Sequence, residues 1–152
     1  MMPETKIRTI LIADDEPDIL EILHFNLQSE GYHLVNAKNG NEAIELAKLH
    51  KPELIILDVM MPGKTGLEVC KILRSNKEFE NTIIIFLTAL NDDNTQIKGL
   101  ETGGDDYLTK PISPKVLISR VNALFRRIVK ETGSVLQIGD LSIDREKYIV
   151  VL

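Results

Sequence analysis

The sequence of 152 residues has little of what several classes of protein require. Its one cysteine, Cys70, excludes an intrachain disulfide and a zinc site built from several cysteines. No run of 18 apolar residues occurs, and the first six residues lack the apolar centre of a signal peptide, so we expect a cytoplasmic protein with no membrane partner. Lys and Arg total 18 against 23 Asp and Glu, a formal net charge of -5. This balance argues against a chain that mainly coats nucleic acid.

Short apolar runs alternate with helical patterns along most of the chain. The runs are rich in β-branched residues, as expected for strands buried on both faces of a sheet, and lie at 7–13, 32–37, 54–57, 83–87 and around 107–108. Amphipathic stretches follow them, the last with apolar residues at helical spacing: Leu117, Val121, Leu124 and Ile128. Five strands alternating with five helices predict an α/β domain, with a parallel sheet between helices on both faces.

The end of the chain has a different pattern. We assign residues 1–130 to the α/β domain, 131–134 to a linker, and 135–152 to two strands of a second domain. Eighteen residues cannot bury a core of their own, so we expect this second domain to be incomplete in the chain.

Polar residues with matched chemistry follow the predicted strands. Asp14 and Asp15 follow the first strand, Asp58 the third, Thr88 the fourth and Lys110 the fifth. Because ligands bind at the carboxyl ends of the strands in such sheets, these side chains should converge. Three close carboxylates repel one another unless they share a cation, and oxygen ligands suit Mg²⁺. A carboxylate at the centre of such a site can attack a phosphoryl group.

Four motifs, in order and at matching strand ends, resemble those of bacterial two-component response regulators. They are Asp14-Asp15-Glu16-Pro17, Leu57-Asp58-Val59-Met60-Met61-Pro62-Gly63, Thr88-Ala89, and Gly103-Gly104-Asp105-Asp106-Tyr107-Leu108-Thr109-Lys110-Pro111. The resemblance covers roughly residues 6–127 and is to the receiver domain of this family. It implies a flavodoxin-like doubly wound sheet with strand order 2-1-3-4-5.

The resemblance also implies a role for individual residues. Asp58 corresponds to the phosphoacceptor, which receives its phosphoryl group from the histidine of a sensor kinase. Asp15 corresponds to a direct Mg²⁺ ligand and Asp14 to one that acts through water. Asp58 itself and the backbone carbonyl of Met60 complete the metal site.

Four further residues correspond to the phosphate-binding and switch positions of the family. Lys110 pairs with the acceptor or its phosphate. Thr88, followed by Ala89, and Tyr107 form the switch, in which the hydroxyl moves towards the phosphate and the aromatic ring turns inward. The charge of the new phosphoryl group thereby shifts the equilibrium between two conformations of one surface of the domain.

Residues 135–144 resemble the opening strands of the winged-helix DNA-binding domain in OmpR/PhoB-type transcription regulators. This resemblance implies that DNA is bound only through an effector domain missing from this chain. It also implies a homodimer, formed on phosphorylation through the fourth helix, fifth strand and fifth helix, with Asp106 and Arg120 as one ion pair. The second ion pair of that face, usually Lys with Glu, aligns with Gln96 and Val116, so the strength of the dimer is not predictable from the sequence.

Three other functions can be weighed against that of a phosphorylation-driven transcription regulator. A stand-alone receiver that acts by binding proteins is the main alternative. An aspartyl phosphatase of the haloacid dehalogenase type would need an Asp where Met60 stands, and a nucleotide-binding enzyme would need a Gly-rich phosphate motif that the sequence lacks. We therefore expect no enzyme activity beyond self-phosphorylation and a slow self-dephosphorylation, because Met60 and Leu90 cannot orient an attacking water.

Overall fold

A computed structural model of the chain describes residues 6–89 and 93–138. Strands and helices alternate throughout, in the order β1 (Thr9–Ala13), α1 (Pro17–Gln28), β2 (His33–Ala37), α2 (Gly40–His50), β3 (Leu54–Asp58), α3 (Gly66–Arg74), β4 (Ile83–Thr88), α4 (Asp93–Thr102), β5 (Asp106–Thr109) and α5 (Pro114–Ile138). A single 3-10 turn, Lys77–Phe79, precedes β4. The chain divides after Pro114 into two compact units, the second of which begins with the body of α5.

The five strands form one parallel sheet in the order β2-β1-β3-β4-β5. This order confirms the predicted flavodoxin-like topology. The register aligns the strand ends: Ala13 of β1 lies beside Leu57 of β3, and Asp58 lies beside Leu87 of β4. The residues that follow β1, β3 and β4 therefore meet at one edge of the sheet.

The three inner strands, β1, β3 and β4, are buried almost throughout, whereas the edge strands β2 and β5 are partly exposed. All residues of β3 and β4 are buried, as their continuous apolar runs predict. On one face, alternate strand residues such as Leu11, Ile55 and Ile84 join residues of α2 and α3 in a single cluster. On α1, Leu20, Leu23 and Leu27 are buried at helical spacing, and this helix contacts β1 and β2.

Local signals fix where the helices begin. The Asn39 side chain accepts a hydrogen bond of 2.8 Å from the Glu42 amide and so caps α2. Thr65 and Glu68 form a reciprocal capping box at the start of α3. Pro17 opens α1, and Glu16 at its N-cap makes no capping hydrogen bond through its side chain among the described residues.

Arg74, at the end of α3, connects three segments of the fold. Its guanidinium donates to the Phe79 carbonyl oxygen at 2.7 Å, to the Gly103 carbonyl oxygen at 2.9 Å and to Asp105 at 3.0 Å. The same Asp105 oxygen accepts the Ile84 amide at 2.8 Å. The start of β5 is thus held to β4 and α3 by polar contacts.

The fourth helix is weakly anchored, as its sparse apolar residues predict. It buries Gly99, whereas Ile97 is 55% and Leu100 is 44% exposed. Gly99 and Gly104 both approach the Phe86 ring so closely that a Cβ at either position would overlap it. Because glycine has no side chain, α4 and the segment before β5 can pack closely against β4 at these two positions.

In α5 the described structure departs from the sequence prediction. Helix replaces the predicted linker at 131–134 and the first part of the predicted strand at 135–138. Residues 131–138 include Glu, Val, Leu and Gln, which tolerate helix, and Gly133 costs only ~1 kcal/mol there relative to Ala. The predicted strands at 139–152 lie outside the described residues. Within the part of the chain that is described, no helix is long and apolar enough to cross a membrane.

Candidate functional site

Three polar side chains are buried at the carboxyl edge of the sheet. Asp14 is 0% exposed, Thr88 is 3% exposed and Asp58 is 4% exposed. The amide of Asp14 donates to the Ala37 carbonyl oxygen at 3.1 Å, which continues the pairing of β1 with β2 by one residue. Asp15 and Glu16, which follow, are exposed. The edge therefore offers two enclosed carboxylates beside two that face solvent.

Lys110 lies at the centre of these carboxylates. Its ammonium nitrogen is 3.0 Å from Asp58 Oδ2, 3.2 Å from Asp14 Oδ2 and 3.2 Å from Glu16 Oε2. Its backbone amide donates to the Thr88 carbonyl oxygen at 2.8 Å, which fixes the segment after β5 against the end of β4. The following peptide bond, to Pro111, is cis.

The environment shifts the acid–base behaviour of both members of the Asp58–Lys110 pair. Burial raises the pKa of Asp58 to about 6, and the charge of Asp14 adds to the rise, although the hydrogen bond from Lys110 opposes it. Burial alone would lower the pKa of Lys110, but its hydrogen bond to Asp58 and the two aspartate charges outweigh this and raise it. Lys110 is therefore a permanent cation in this site.

Four carboxylates gather closely enough to share a cation. Asp14, Asp15, Glu16 and Asp58 each have an oxygen within 4.8 Å of the others. Asp14 Oδ2 is fully buried and, although it lies within ion-pair distance of Lys110, no group among the described residues donates a well-directed hydrogen bond to it. A buried anionic oxygen without such a partner is costly, so this donor set fits a hard divalent cation such as Mg²⁺.

The loop after β3 is held close to the end of that strand. The Met60 amide donates to Asp58 Oδ1 at 3.1 Å, and the Gly66 amide donates to the Val59 carbonyl oxygen at 2.9 Å. A Cβ on Gly66 would overlap the Asp58 carbonyl, so the loop can pass α3 this closely only with glycine there. The Met60 side chain is 72% exposed.

The remaining predicted switch residues lie on β4 and β5. Thr88 Oγ1 accepts a long hydrogen bond of 3.4 Å from the Gln96 side chain of α4. Ala89, which follows Thr88, is exposed. Tyr107 is half-buried, lies beside Phe86 in the sheet and packs against the core cluster of that face. The hydroxyl of Thr88 and the ring of Tyr107 are thus on neighbouring strands.

The structure brings together most of the predicted site and adds one residue to it. Asp14, Asp15, Asp58 and Lys110 converge, as the strand ends predict. The contact of Glu16 with Lys110 was not predicted, because Glu16 stands at the N-cap of α1 and was not counted among the residues that follow a strand. The proposed dimer residues Asp106 and Arg120 fall in separate units of the chain. Their pairing stays a prediction.

The profile of one protein family, described as the response regulator receiver domain, matches residues 10–122 of this chain. The chain belongs to this family. The match includes four strands completely, β1 from its second residue, and the carboxylate cluster. The predicted receiver family is thereby confirmed, while the OmpR/PhoB-type subfamily is a finer assignment than this match provides.

Solved structures of receivers are similar to this chain over most of their length. The receiver domain of a Francisella response regulator is 38% identical, with a TM-score of 0.74, 80% of this chain covered and 98% of that chain. The signal receiver domain of a histidine kinase from Syntrophus aciditrophicus is 36% identical, with a TM-score of 0.74 and coverages of 80% and 92%. The chemotaxis response regulator CheY4 of Vibrio cholerae is 30% identical, with a TM-score of 0.74 and coverages of 78% and 98%.

Proposed function

We propose that this receiver accepts a phosphoryl group on Asp58 from the phosphohistidine of a sensor kinase, in the presence of Mg²⁺. The observation that carries the proposal is the position of Asp58: a carboxylate that is 4% exposed, 3.0 Å from a lysine and within a cluster of four carboxylates. A structural carboxylate would not need three further acidic neighbours. Membership of the receiver family supports the same role.

Asp14, Asp15, Asp58 and the backbone carbonyl of Met60 would hold the Mg²⁺ ion. The oxygen ligands and the under-bonded Asp14 Oδ2 support this set. The bound ion supplies positive charge that offsets the charge of the transferred phosphoryl group. It would also lower the pKa of Asp58 from about 6, which favours the nucleophilic carboxylate.

The chemical step is a phosphoryl transfer to one oxygen of Asp58. That oxygen forms a bond to phosphorus while the bond from phosphorus to the donor atom breaks, and the donor leaves with the electron pair. With acetyl phosphate as donor, the products are the aspartyl phosphate and acetate. Lys110 stays protonated throughout, because its pKa is raised, and pairs with the new phosphoryl oxygens.

The switch would use Thr88, Ala89 and Tyr107. In the described structure the Thr88 hydroxyl has the Gln96 amide as a partner at 3.4 Å, a long and weak contact that a phosphoryl oxygen can replace. Ala89, the next residue, is exposed. Tyr107 packs half-buried on the core cluster and can follow when Thr88 moves.

The output we propose is control of transcription by an OmpR/PhoB-type regulator. Phosphorylation would favour a homodimer through the face of α4, β5 and α5, with Asp106 and Arg120 as one ion pair, and DNA would be bound by an effector domain beyond this chain. The support for the subfamily is the sequence resemblance of residues 135–144 alone, because the described structure continues α5 through residues 135–138. As for chemistry, we propose self-phosphorylation and slow self-dephosphorylation only, because the exposed Met60 side chain cannot orient an attacking water.

Intact-mass measurement after incubation with Mg²⁺ and acetyl phosphate tests the proposal. The wild-type protein should gain about 80 Da, and the gain should disappear with EDTA or with Asp58→Asn. Asp18→Asn is the matched control, because it makes the same carboxylate-to-amide change at an exposed position on α1. A folded wild-type protein that gains no mass, or an Asp58→Asn variant that gains as much as the wild type, would contradict the proposal.

A further inference from the structure

The side chain of Glu16 contacts a distant lysine, although Glu16 stands at a helix N-cap. At the N-cap of α1, Ser, Thr, Asp or Asn normally satisfies the free amides of the first turn. Glu16 does not cap, and among the described residues its carboxylate instead reaches Lys110 at 3.2 Å, across 94 positions of sequence. Its backbone amide donates to Asp14 Oδ1 at 2.9 Å, which fixes where the side chain starts.

Three carboxylates surround the ammonium group of Lys110, and two of them accept a directed hydrogen bond from it. Asp58 accepts at 3.0 Å and Glu16 at 3.2 Å, whereas Asp14 Oδ2 lies 3.2 Å from the nitrogen as an ion pair without a well-directed hydrogen bond. A phosphoryl oxygen on Asp58 is a further anionic acceptor, and it therefore competes with these carboxylates for the Lys110 ammonium group.

Of the three, Glu16 is the partner that can leave. The side chain of Asp14 is 0% and that of Asp58 is 6% exposed, whereas the Glu16 side chain is 58% exposed. An exposed carboxylate that rotates towards the solvent stays hydrated. A buried carboxylate that loses its cation has no water to replace it. Exposed ion pairs are also weak, so this contact breaks easily.

We propose that Glu16 is a positioning residue that holds Lys110 in the unphosphorylated receiver and slows phosphoryl acceptance. Its carboxylate occupies one Lys110 donor and repels an incoming anionic phosphodonor, and it is displaced into solvent once Asp58 carries the phosphoryl group. This inference rests on the proposed role of Asp58. It assigns to Glu16, which follows Asp14 and Asp15, control of the phosphorylation rate rather than a role as a metal ligand.

The test compares rates of phosphorylation at saturating Mg²⁺ for wild type, Glu16→Gln and the matched control Asp18→Asn. With acetyl phosphate, a dianion at neutral pH, Glu16→Gln should react roughly threefold to fivefold faster, as expected for the loss of one exposed charge. Asp18→Asn should react at the wild-type rate, since its carboxylate is exposed on the same helix outside the cluster.

A comparison of two phosphodonors provides a second readout. A purely structural effect of the substitution would change the rates with both phosphodonors by the same factor. Phosphoramidate is a monoanion at neutral pH, so repulsion by Glu16 should act on it about half as strongly on a logarithmic scale, giving about a twofold acceleration. The acceleration with acetyl phosphate should also shrink at high salt. Equal rates for wild type and Glu16→Gln, or the same acceleration with both donors, would overturn the inference.

Two further outcomes separate failure of this inference from failure of the proposed function. If Glu16→Gln weakens Mg²⁺ binding as much as Asp15→Asn does, Glu16 is a metal ligand and the inference is wrong. If the wild-type protein gains no phosphoryl mass at all, the proposed function fails first. Should Glu16→Gln not fold, Glu16→Ser gives the same comparison, because serine supplies the missing cap of α1.

Discussion

Lowering the pH from 7 to 5 should weaken Mg²⁺ binding about tenfold. Asp58 has a pKa of about 6 without the metal, so about nine-tenths of its carboxyls are ionised at pH 7 and about one-tenth at pH 5. Only the ionised form can act as a ligand. A proton therefore competes with the metal below pH 6, and affinity falls in proportion to the ionised fraction.

Isothermal titration with Mg²⁺ at pH 5, 6 and 7 measures this effect. At pH 6 the affinity should lie about twofold below its value at pH 7, since half of the Asp58 carboxyls are then ionised. Asp58→Asn should bind more weakly at pH 7 and lose most of the decline between pH 7 and pH 5. Asp18→Asn should keep the whole decline.

Two results would refute the reasoning. One is a wild-type affinity that changes less than twofold between pH 7 and pH 5, which would mean that Asp58 is not a ligand or that its pKa is not raised. The other is an Asp58→Asn variant with the same tenfold decline, which would assign the titration to other carboxylates of the cluster.

Three further predictions concern the scaffold around the site. Thr65→Ala removes the hydroxyl of the capping box of α3 and should lower the free energy of unfolding by about 1 kcal/mol in urea denaturation, with an unchanged m-value. Gly104→Ala should cost roughly 1–3 kcal/mol in the same assay, because the new methyl group overlaps the Phe86 ring; equal midpoints would contradict the close approach. Cys70 should react with a thiol reagent at pH 8 only on the timescale of unfolding, since burial raises its pKa to about 11, and immediate labelling would show that the thiol is accessible.

The convergence of Asp14, Asp58 and Lys110 could be predicted from the sequence for a topological reason. In a parallel sheet all strands end at the same edge, so a polar residue after each apolar run is assigned a place without knowledge of side-chain geometry. The runs themselves are continuous and β-branched, and β3 and β4 are buried throughout. The fold and the site's main residues follow from this pattern.

Two features could not be predicted in this way. The contact of Glu16 with Lys110 depends on where an exposed side chain at the N-cap of α1 turns, which the pattern of strands and strand ends does not encode. The continuation of α5 to Ile138 goes against the predicted linker because a Thr-Gly-Ser sequence favours a break only weakly once a helix has formed. Propensity at a helix end decides little by itself.

The polar contacts of Arg74 imply a hierarchy of local stability. Arg74 and Asp105 hold the start of β5 to α3 and β4, so that strand has anchors other than α4. With Gly99 as its buried contact, α4 can open while the sheet stays intact. Amide hydrogens of α4 should accordingly exchange with deuterium through a small, local opening, whereas those of β3 and β4 should exchange only when the whole domain unfolds. The element that faces the proposed switch residue Thr88 is thus one that should cost little free energy to move.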